Sequence, residues 1–313
     1  MKTFVSAVVL GLASAVAVAQ GDAKPIRFIV PFGPGSSVDT QGRFFAEQLS
    51  QVLKVPTYVE NKPGATGALG LQALKAAPAD GRSIAVVSPS FVVTPIMSRT
   101  AGYKVDDFKP IAGMGKGPIG FFVRADSKHK SLGDLLAAAK KDGQPVNIGT
   151  YAGSYKIGAA WLSQLSGVPF TDIPYKSASN TMTDLMGGSL EVMSADFTAM
   201  ASMVREGKLR ALAIADERRL SEFADVPTVN ESYKGYVNYI WLGLVVRADT
   251  PQPIVDNLSR AMQQVMAKKE THDYLAQMGW QPLNLDGPAM GRFIQAENKR
   301  FQGVAKNAGI TPE

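Results

Sequence analysis

The sequence predicts an α/β fold of two lobes joined by two crossing strands. Three features predict it. A strand, a glycine-rich turn and a helix occur twice in succession near the N-terminus, strands and helices alternate along the rest of the chain, and one short motif recurs far downstream. Alternating strands and helices with short turns indicate a largely parallel sheet covered by helices. The length of 313 residues is near the size at which one core gives way to two.

Two glycine-rich loops organise the N-terminal part of the chain. The first loop, residues 31–39, follows an apolar run, and so does the second loop, residues 60–70. Glycine lets backbone approach a ligand closely, and the first turn of a helix has unpaired N–H groups and a partial positive charge. Two such turns that face each other would bind a small anion, best a carboxylate. The candidate ligand-binding residues are Phe32, Gly33, Pro34, Gly35, Ser36 and Ser37 in the first loop and Gly64, Ala65, Thr66 and Gly67 in the second.

The next elements continue the same alternation. Apolar residues at helical spacing predict helices over residues 40–53 and 69–77, and residues 83–87 resemble a buried strand. That strand places Ser88 and Ser90 at its carboxyl end, where ligands bind in sheets of this kind. Both serines are therefore candidate ligand-binding residues.

A repeated motif marks the crossings between the lobes. Val-Arg-Ala-Asp-Ser ends at Ser127 and Val-Arg-Ala-Asp-Thr ends at Thr250, each after an apolar strand and before a helix. We expect both hydroxyls to cap the helices that follow. Lobe one is then residues 20–123 plus 242–313, and lobe two is residues 124–241.

Lobe two repeats the α/β pattern, with strands predicted near residues 145–149, 170–175, 190–196 and 209–215. Polar side chains lie at or just past these strand ends. The candidates are Thr150, Ser154, Ser177 and Asp196. Asp196 suits a ligand amine, a hydroxyl or a bridging water. Three tyrosines of this lobe would either line an aromatic ligand or pack in the core; they are Tyr151, Tyr155 and Tyr175.

Asp39 requires a different interpretation. A carboxylate beside a bound carboxylate would repel it, so we interpret Asp39 as stabilising the N-terminus of the helix that follows the first loop.

The N-terminus has the features of a secretory signal peptide. Lys2 precedes an apolar run over residues 4–18, and Ala17-Val18-Ala19 fits a cleavage site, so residues 1–19 are predicted to be removed. A single membrane anchor is the alternative, although the run is short for a span. A signal peptide without any cysteine suits a bacterial periplasm.

Composition and motifs argue against several classes of protein. The basic residues that give a net charge of +6 are scattered, which does not indicate nucleic-acid binding. The two histidines, His129 and His272, have no nucleophile or metal-ligand partner at a suitable spacing. No nucleophile elbow, zinc-protease motif or complete P-loop is present. We therefore expect a binding protein without cofactor or metal, and a secreted hydrolase is the less favoured alternative.

The motifs resemble those of the Bug family, the TctC-type substrate-binding proteins of tripartite tricarboxylate transporters. The first loop has Val-Pro-Phe followed by spaced glycines and Asp39, and the second has Val-Glu-Asn-Lys-Pro-Gly-Ala-Thr-Gly. The resemblance continues through residues 174–176, 184–188, 207–213 and 225–228 and covers essentially the whole mature chain.

This resemblance implies a two-lobed periplasmic binding protein of the clamshell type. The two loops would form a pincer on a ligand carboxylate, partly through backbone groups and ordered waters. The bound protein would deliver its ligand to a two-subunit membrane permease driven by an ion gradient. We expect the protein itself to be a monomer. A ligand sensor that signals to a membrane or regulatory partner is the alternative with the same fold.

The chain departs from the family pattern at three places. Ser36 stands where the first loop has a second glycine, and Ser177 stands where a glycine commonly follows Tyr-Lys. The stretch at residues 149–156 is shorter than usual and lacks a histidine. Because lobe two usually recognises the distal part of the ligand, the identity of the carboxylate stays open.

Overall fold

The computed structural model describes residues 24–312. The predicted signal peptide lies outside these residues. The strands are β1 (Ile26–Val30), β2 (Thr57–Asn61), β3 (Ser83–Val87), β4 (Phe108–Arg124), β5 (Val146–Thr150), β6 (Phe170–Pro174), β7 (Val192–Asp196), β8 (Leu209–Ile214), β9 (Tyr239–Arg247) and β10 (Gln281–Pro282). The helices are α1 (Ser37–Leu53), α2 (Ala68–Lys75), α3 (Ser90–Met97), α4 (Leu132–Asp142), α5 (Gly153–Ser166), α6 (Ala178–Gly187), α7 (Phe197–Arg205), α8 (Val229–Ser232), α9 (Gln252–Met266), α10 (Lys269–Gln277) and α11 (Gly287–Asn307).

Two sheets share the long strand β4. In the first sheet, β1 lies between β2 and β3 and is parallel to both, and β9 joins β3 to β4 by antiparallel pairing. In the second sheet, β5 is parallel to β6 and β7, while β7 and β8 flank β4 in antiparallel pairing. The two-lobed α/β fold predicted from the alternation is therefore confirmed.

Strand β4 carries the chain from one sheet to the other. Its residues up to Pro118 pair with β9, and its residues from Ile119 onward pair with β7 and β8. Close to this crossing, β9 begins at Tyr239, which is paired with Pro118. The lobe boundaries predicted at residues 123 and 242 fall inside β4 and β9, and they stay a prediction.

Each copy of the repeated motif forms the same local turn. Arg124 pairs with Asp126, the N–H of Ser127 donates to the Arg124 carbonyl at 3.1 Å, and the second copy makes the equivalent bonds between Arg247, Asp249 and Thr250. The expected helix caps are wrong, because a backbone turn intervenes before each helix. The side-chain cap of α4 is Ser131, and α9 follows Pro251, which has no side-chain cap.

Buried apolar side chains fill both faces of the sheets. Phe28 and Trp241 are fully buried on strands of the first sheet, and Phe122 is fully buried on β4 where it runs in the second sheet. The C-terminal helix α11 packs on β4 and α3 and also contacts α5. Within residues 24–312, no helix combines the length and the apolar character that a membrane span requires.

Candidate ligand-binding site

The two glycine-rich loops lie side by side because β1 and β2 end next to each other. Val30 pairs with Asn61 at the carboxyl ends of these parallel strands. The Asn61 side chain then donates to the carbonyl of Phe32 at 3.0 Å and to Asp39 Oδ1 at 2.8 Å. One amide thus holds the first loop in a fixed position relative to the start of the second.

Asp39 completes this support from the first turn of α1. Its Oδ2 accepts from the Gly35 N–H at 2.9 Å and from Arg43 Nε at 3.1 Å. Burial by itself raises the pKa of Asp39, but the hydrogen bonds from Arg43, Asn61 and Gly35 outweigh that effect and lower it below the usual value. With both oxygens engaged, Asp39 has the supporting role that the sequence indicated.

We expect Asp39→Asn to lower the free energy of unfolding by about 1.5–3 kcal/mol at pH 7, because hydrogen bonds to a buried charge are lost. The pKa of Asp39 is lowered by folding, so its stabilisation is present above the pKa of the unfolded chain and is lost as pH falls through the folded value. Urea unfolding should therefore show a difference in free energy of unfolding between wild type and Asp39→Asn that is smaller in acid than at pH 7. The exposed Asp273→Asn is the control, expected to change stability by less than about 0.5 kcal/mol. Equal stability of Asp39→Asn and wild type at pH 7 would contradict this role.

Ser36, the departure from the family pattern, caps α1. Its Oγ accepts from the Asp39 N–H at 3.2 Å. The preceding Gly35 has φ +78°, a conformation that glycine adopts without strain.

The second loop has an unusual backbone. Four successive residues, Gly64, Ala65, Thr66 and Gly67, have positive φ angles of 130°, 47°, 53° and 97°. A non-glycine residue in this region costs about 1–3 kcal/mol, and such residues concentrate at ligand clamps and active sites. The hydroxyl of Thr94, on α3, lies 3.0 Å from the Thr66 hydroxyl and supports the strained segment.

Both loops open into one cleft of about 580 Å³ that faces lobe two. The opposite wall consists of the turn after β5 and the end of β6. The cleft brings together seven of the predicted residues, which are Phe32, Gly33, Gly64, Ala65, Thr66, Gly67 and Thr150. A cleft between lobes, lined by strand ends and helix starts, is a frequent location of small-molecule sites.

The structure places the other predicted residues around this cleft rather than in its wall. Gly35 and Ser37 line a second cavity on the other side of the first loop. Ser88 and Ser90 border a void of about 10 Å³ together with Phe32 and Thr66. The remaining residues line neither the cleft nor the second cavity; they are Pro34, Ser36, Ser154, Ser177 and Asp196. Of these, Ser177 caps α6 through its bond from the Asn180 N–H.

Two predicted residues carry buried polar atoms that make no hydrogen bond among the described residues. One is Ser90 Oγ, and a Cβ placed on Gly153 across the cleft would lie only 3.8 Å from it. The other is Asp196 Oδ2, whose partner oxygen Oδ1 accepts from the N–H and hydroxyl of Thr198 at 3.0 and 2.8 Å. Unpaired buried polar atoms are rare in native proteins and call for an occupant or water.

Burial raises the pKa of Asp196, against the hydrogen bonds from Thr198. The Ser37 hydroxyl also lies close enough to lower the pKa, although it makes no hydrogen bond to Oδ2 at normal geometry. A buried carboxylate without a cation is costly, so Asp196 favours a hydrogen-bond donor beside it.

Several cleft residues were not predicted as ligand contacts. Lys156 Nζ lies 3.8 Å from Asp172 Oδ2, and the hydroxyl of Thr150 donates to Asp172 Oδ1 at 2.5 Å. Of the tyrosines that the sequence left either lining a ligand or packing in the core, Tyr151 and Tyr175 line the cleft, while Tyr155 is buried behind it. The other unpredicted lining residues are Pro31, Pro63, Ala152, Gly153, Pro174 and Lys176. For most of them the sequence offered two signals, the motif at residues 174–176 and the unusual stretch at residues 149–156.

Two α/β lobes that close on a cleft formed by strand ends define a periplasmic-type solute-binding protein. The model of the tripartite tricarboxylate transporter family receptor matches residues 42–310. The chain belongs to this family. It is therefore a small-ligand binding protein that works with a transporter, and not an enzyme.

Relatives and solved structures agree with this assignment. The chain is 32% identical to the UPF0065 protein in the gbd 5' region of Cupriavidus necator, over 96% of this chain and 93% of the relative. It is 30% identical to the protein BugT of Bordetella pertussis, over 96% and 94% of the two chains. The periplasmic binding protein BugD is similar in structure, with a TM-score of 0.85 and 27% identity over 92% of this chain and 99% of BugD. An R. palustris protein solved with adipate gives a TM-score of 0.86 and 25% identity over 94% and 100%.

Proposed function

We propose that this protein captures a small carboxylate in the cleft between its lobes and delivers it, in the periplasm, to a two-subunit membrane permease. The observation that carries the proposal is the strained second loop, residues 64–67, facing the first loop across one cleft of about 580 Å³. Strain of this kind persists only where the surrounding structure holds the backbone in place, and it concentrates at ligand clamps and active sites. The adipate bound by the R. palustris relative is a ligand of the same class.

The donors to the carboxylate must be largely backbone groups. Neither loop contains an arginine, and the lysine of the second loop, Lys62, pairs with Glu60 at 2.7 Å. Micromolar binding requires about −8 kcal/mol, whereas one helix terminus contributes about 0.3–1 kcal/mol. Hydrogen bonds to a charged group contribute about 1.5–3 kcal/mol each. Several such bonds from both loops are therefore required, and closure of lobe two over the ligand is part of the affinity.

Buried polar atoms outside the cleft wall and two lysines of lobe two complete the proposed site. Ser90 Oγ and Asp196 Oδ2 are buried and make no hydrogen bond among the described residues, so we propose that each is satisfied by a bridging water or by a ligand group once the lobe closes. Lys156 forms an ion pair with Asp172, and the exposed Lys176 lines the cleft. This charge balance suits a ligand with one carboxylate on the loops and a polar group toward lobe two.

A thermal-shift screen of the mature protein against small carboxylates tests the proposal. A ligand at one hundred times its Kd stabilises the folded state by about 2.7 kcal/mol, which corresponds to a rise in Tm of about 5–10 °C for a chain of this size. At least one acid should produce this rise, and its amide should not, because the amide lacks the charge that the loops bind. The absence of a response across di- and tricarboxylates, acidic amino acids and aromatic acids would contradict the proposal.

Delivery to a permease needs a test in cells. Deletion of the gene should abolish uptake of the identified acid without removing the transcriptional response to it. The opposite result would favour the sensing alternative.

A further inference from the structure

A hydrogen bond outside the ligand cleft joins the two sheets across the second cavity. Trp280 Nε1 donates to the hydroxyl of Thr198 at 3.1 Å. Both residues line the second cavity, and neither lines the cleft. This cavity has α1 and the end of α10 on one side and the start of α7 and residues 220–223 on the other. The bond therefore spans a gap between the lobes.

The indole of Trp280 is fixed on the first sheet. Its ring covers Gly117 and Gly115 of β4, where a Cβ would lie 2.7 and 3.3 Å from ring atoms. Both glycines belong to the part of β4 that pairs with β9. The Trp280 backbone N–H donates to the Leu275 carbonyl at 2.8 Å, and the residue is 3% exposed. The two glycines thus leave the room that lets the flat ring lie directly on the strand.

The hydroxyl of Thr198 is fixed on the second sheet. Thr198 is the second residue of α7, and its N–H and hydroxyl both donate to Asp196 Oδ1, at 3.0 and 2.8 Å. Asp196 ends β7 and pairs with Ile119 of β4. A threonine hydroxyl has one hydrogen, and an indole N–H is a donor only. Because the hydroxyl hydrogen is directed to Asp196, the oxygen is free to accept from Trp280.

The residue before Trp280 also approaches Thr198 closely. Gly279 has φ +69°, and a Cβ at this position would lie 2.9 Å from Thr198 Cγ2. The two bonds to Asp196 keep Thr198 from turning aside. The observed approach of the lobes at this point therefore requires a glycine at position 279.

We propose that Trp280 and Thr198 are positioning residues for ligand capture. Together with Gly279 and Asp196 they form an interlobe latch that favours the closed arrangement of the lobes. Opening of the cleft moves the start of α7 away from the first sheet and breaks the latch, whereas a ligand held by both lobes keeps it formed. The latch raises affinity for every ligand that requires closure, without contacting any of them. This inference rests on the proposed function of the cleft.

Removal of the latch should weaken all ligands by a similar factor. The probes are the acids that stabilise wild type in the thermal-shift screen. In calorimetric titration each should bind Trp280→Phe about two- to tenfold more weakly than wild type, because one neutral hydrogen bond is lost and a smaller fraction of the protein is closed. Trp280→Phe leaves both bonds between Thr198 and Asp196 in place. Thr198→Val should have a similar effect, and Thr198→Ser, which keeps the hydroxyl, should retain wild-type affinity. The double variant Trp280→Phe/Thr198→Val should bind no more weakly than Thr198→Val.

Gly279→Ala should oppose closure by steric contact. Its Cβ would meet Thr198, so ligand-free Gly279→Ala should have a larger radius of gyration than wild type in small-angle X-ray scattering, and its affinity for the probes should fall. Gly167→Ala is the matched control, since Gly167 has φ +67° and no atom within 4 Å of a Cβ. It should match wild type in both measurements.

Hydrogen exchange of the Trp280 indole N–H tests the latch without any ligand. The chain has three tryptophans, so isotopic labelling of tryptophan gives three indole signals in NMR spectra, and Trp280→Phe assigns the signal of Trp280. Its exchange should be about two- to tenfold faster in Thr198→Val than in wild type, and slower in wild type when a probe acid saturates the cleft.

Several results would overturn the latch. They are equal exchange in wild type and Thr198→Val, exchange in wild type that a bound acid does not slow, and unchanged affinity in both Trp280→Phe and Thr198→Val. A lower Tm with unchanged affinity would give these residues a structural role only. If no acid binds the wild type, the proposed function fails, and exchange in the ligand-free protein still decides whether the latch exists.

Discussion

Gly64→Val should lower affinity for the carboxylate ligand by at least about a hundredfold, or about 2.7 kcal/mol. Gly64 has φ +130°, which a β-branched residue does not adopt without strain. A Cβ at this position would also lie 2.6 Å from Leu69 Cδ1. Because the variant cannot keep this backbone, the N–H groups of residues 64–67 should turn away from the cleft.

The same substitution should leave the fold largely intact. Leu69 is 48% exposed and can move aside, so the strain stays in the loop. Gly207→Val is the matched control: its φ is +67°, no atom lies within 4 Å of a Cβ there, and it borders neither the cleft nor the second cavity. Calorimetric titration should show ligand affinity retained in Gly207→Val and lost in Gly64→Val, with similar small decreases in Tm. Unchanged affinity in Gly64→Val would remove the second loop from the site.

Asp196→Asn should change both ligand preference and pH dependence. We predict that the unpaired Oδ2, which the structure places outside the cleft wall, accepts a hydrogen bond from a ligand hydroxyl or ammonium group, directly or through a water; a bond to a charged acceptor contributes about 1.5–3 kcal/mol. Affinity for hydroxylated or amino carboxylates should therefore fall about tenfold or more on substitution. Unsubstituted carboxylates should be nearly unaffected. If both classes lose affinity equally, or neither does, Asp196 does not select the ligand.

The sign of the pH effect follows from the raised pKa of Asp196. A group whose pKa is raised by folding stabilises the protein below the pKa of the unfolded chain, and this contribution is lost as pH rises through the folded value. The Tm of Asp196→Asn relative to the Tm of wild type should therefore increase as pH rises from acid to neutral. Asp216→Asn is the control, because burial also raises the pKa of Asp216 while this residue is not one of the proposed ligand contacts. It should show the same trend in Tm without any change in affinity. A constant difference in Tm between Asp196→Asn and wild type would contradict this assignment.

The sequence predicted those parts of the fold and site that depend on local patterns. The order of strand, glycine-rich turn and helix correctly placed both loops at the ends of β1 and β2. Asp39 was correctly interpreted as stabilising the N-terminus of α1. The caps at Ser127 and Thr250 were wrong, because a short turn and a helix start have the same sequence signature.

Features that depend on distant pairing were not predictable in the same way. Lys156, on α5, and Asp172, on β6, meet only because β6 pairs beside β5 and α5 packs against β6. The division of the first loop between two cavities depends on where residues 276–281 pack, more than two hundred residues further along the chain.

A crystal structure of the mature protein with its highest-affinity carboxylate bound is the most direct test of the central claim. We predict that the carboxylate oxygens lie within hydrogen-bond distance of backbone N–H groups in residues 32–37 and 64–67, with Asp196 and the turn after β5 closed over the rest of the ligand. A carboxylate held elsewhere, or two loops whose N–H groups point away from it, would contradict the account.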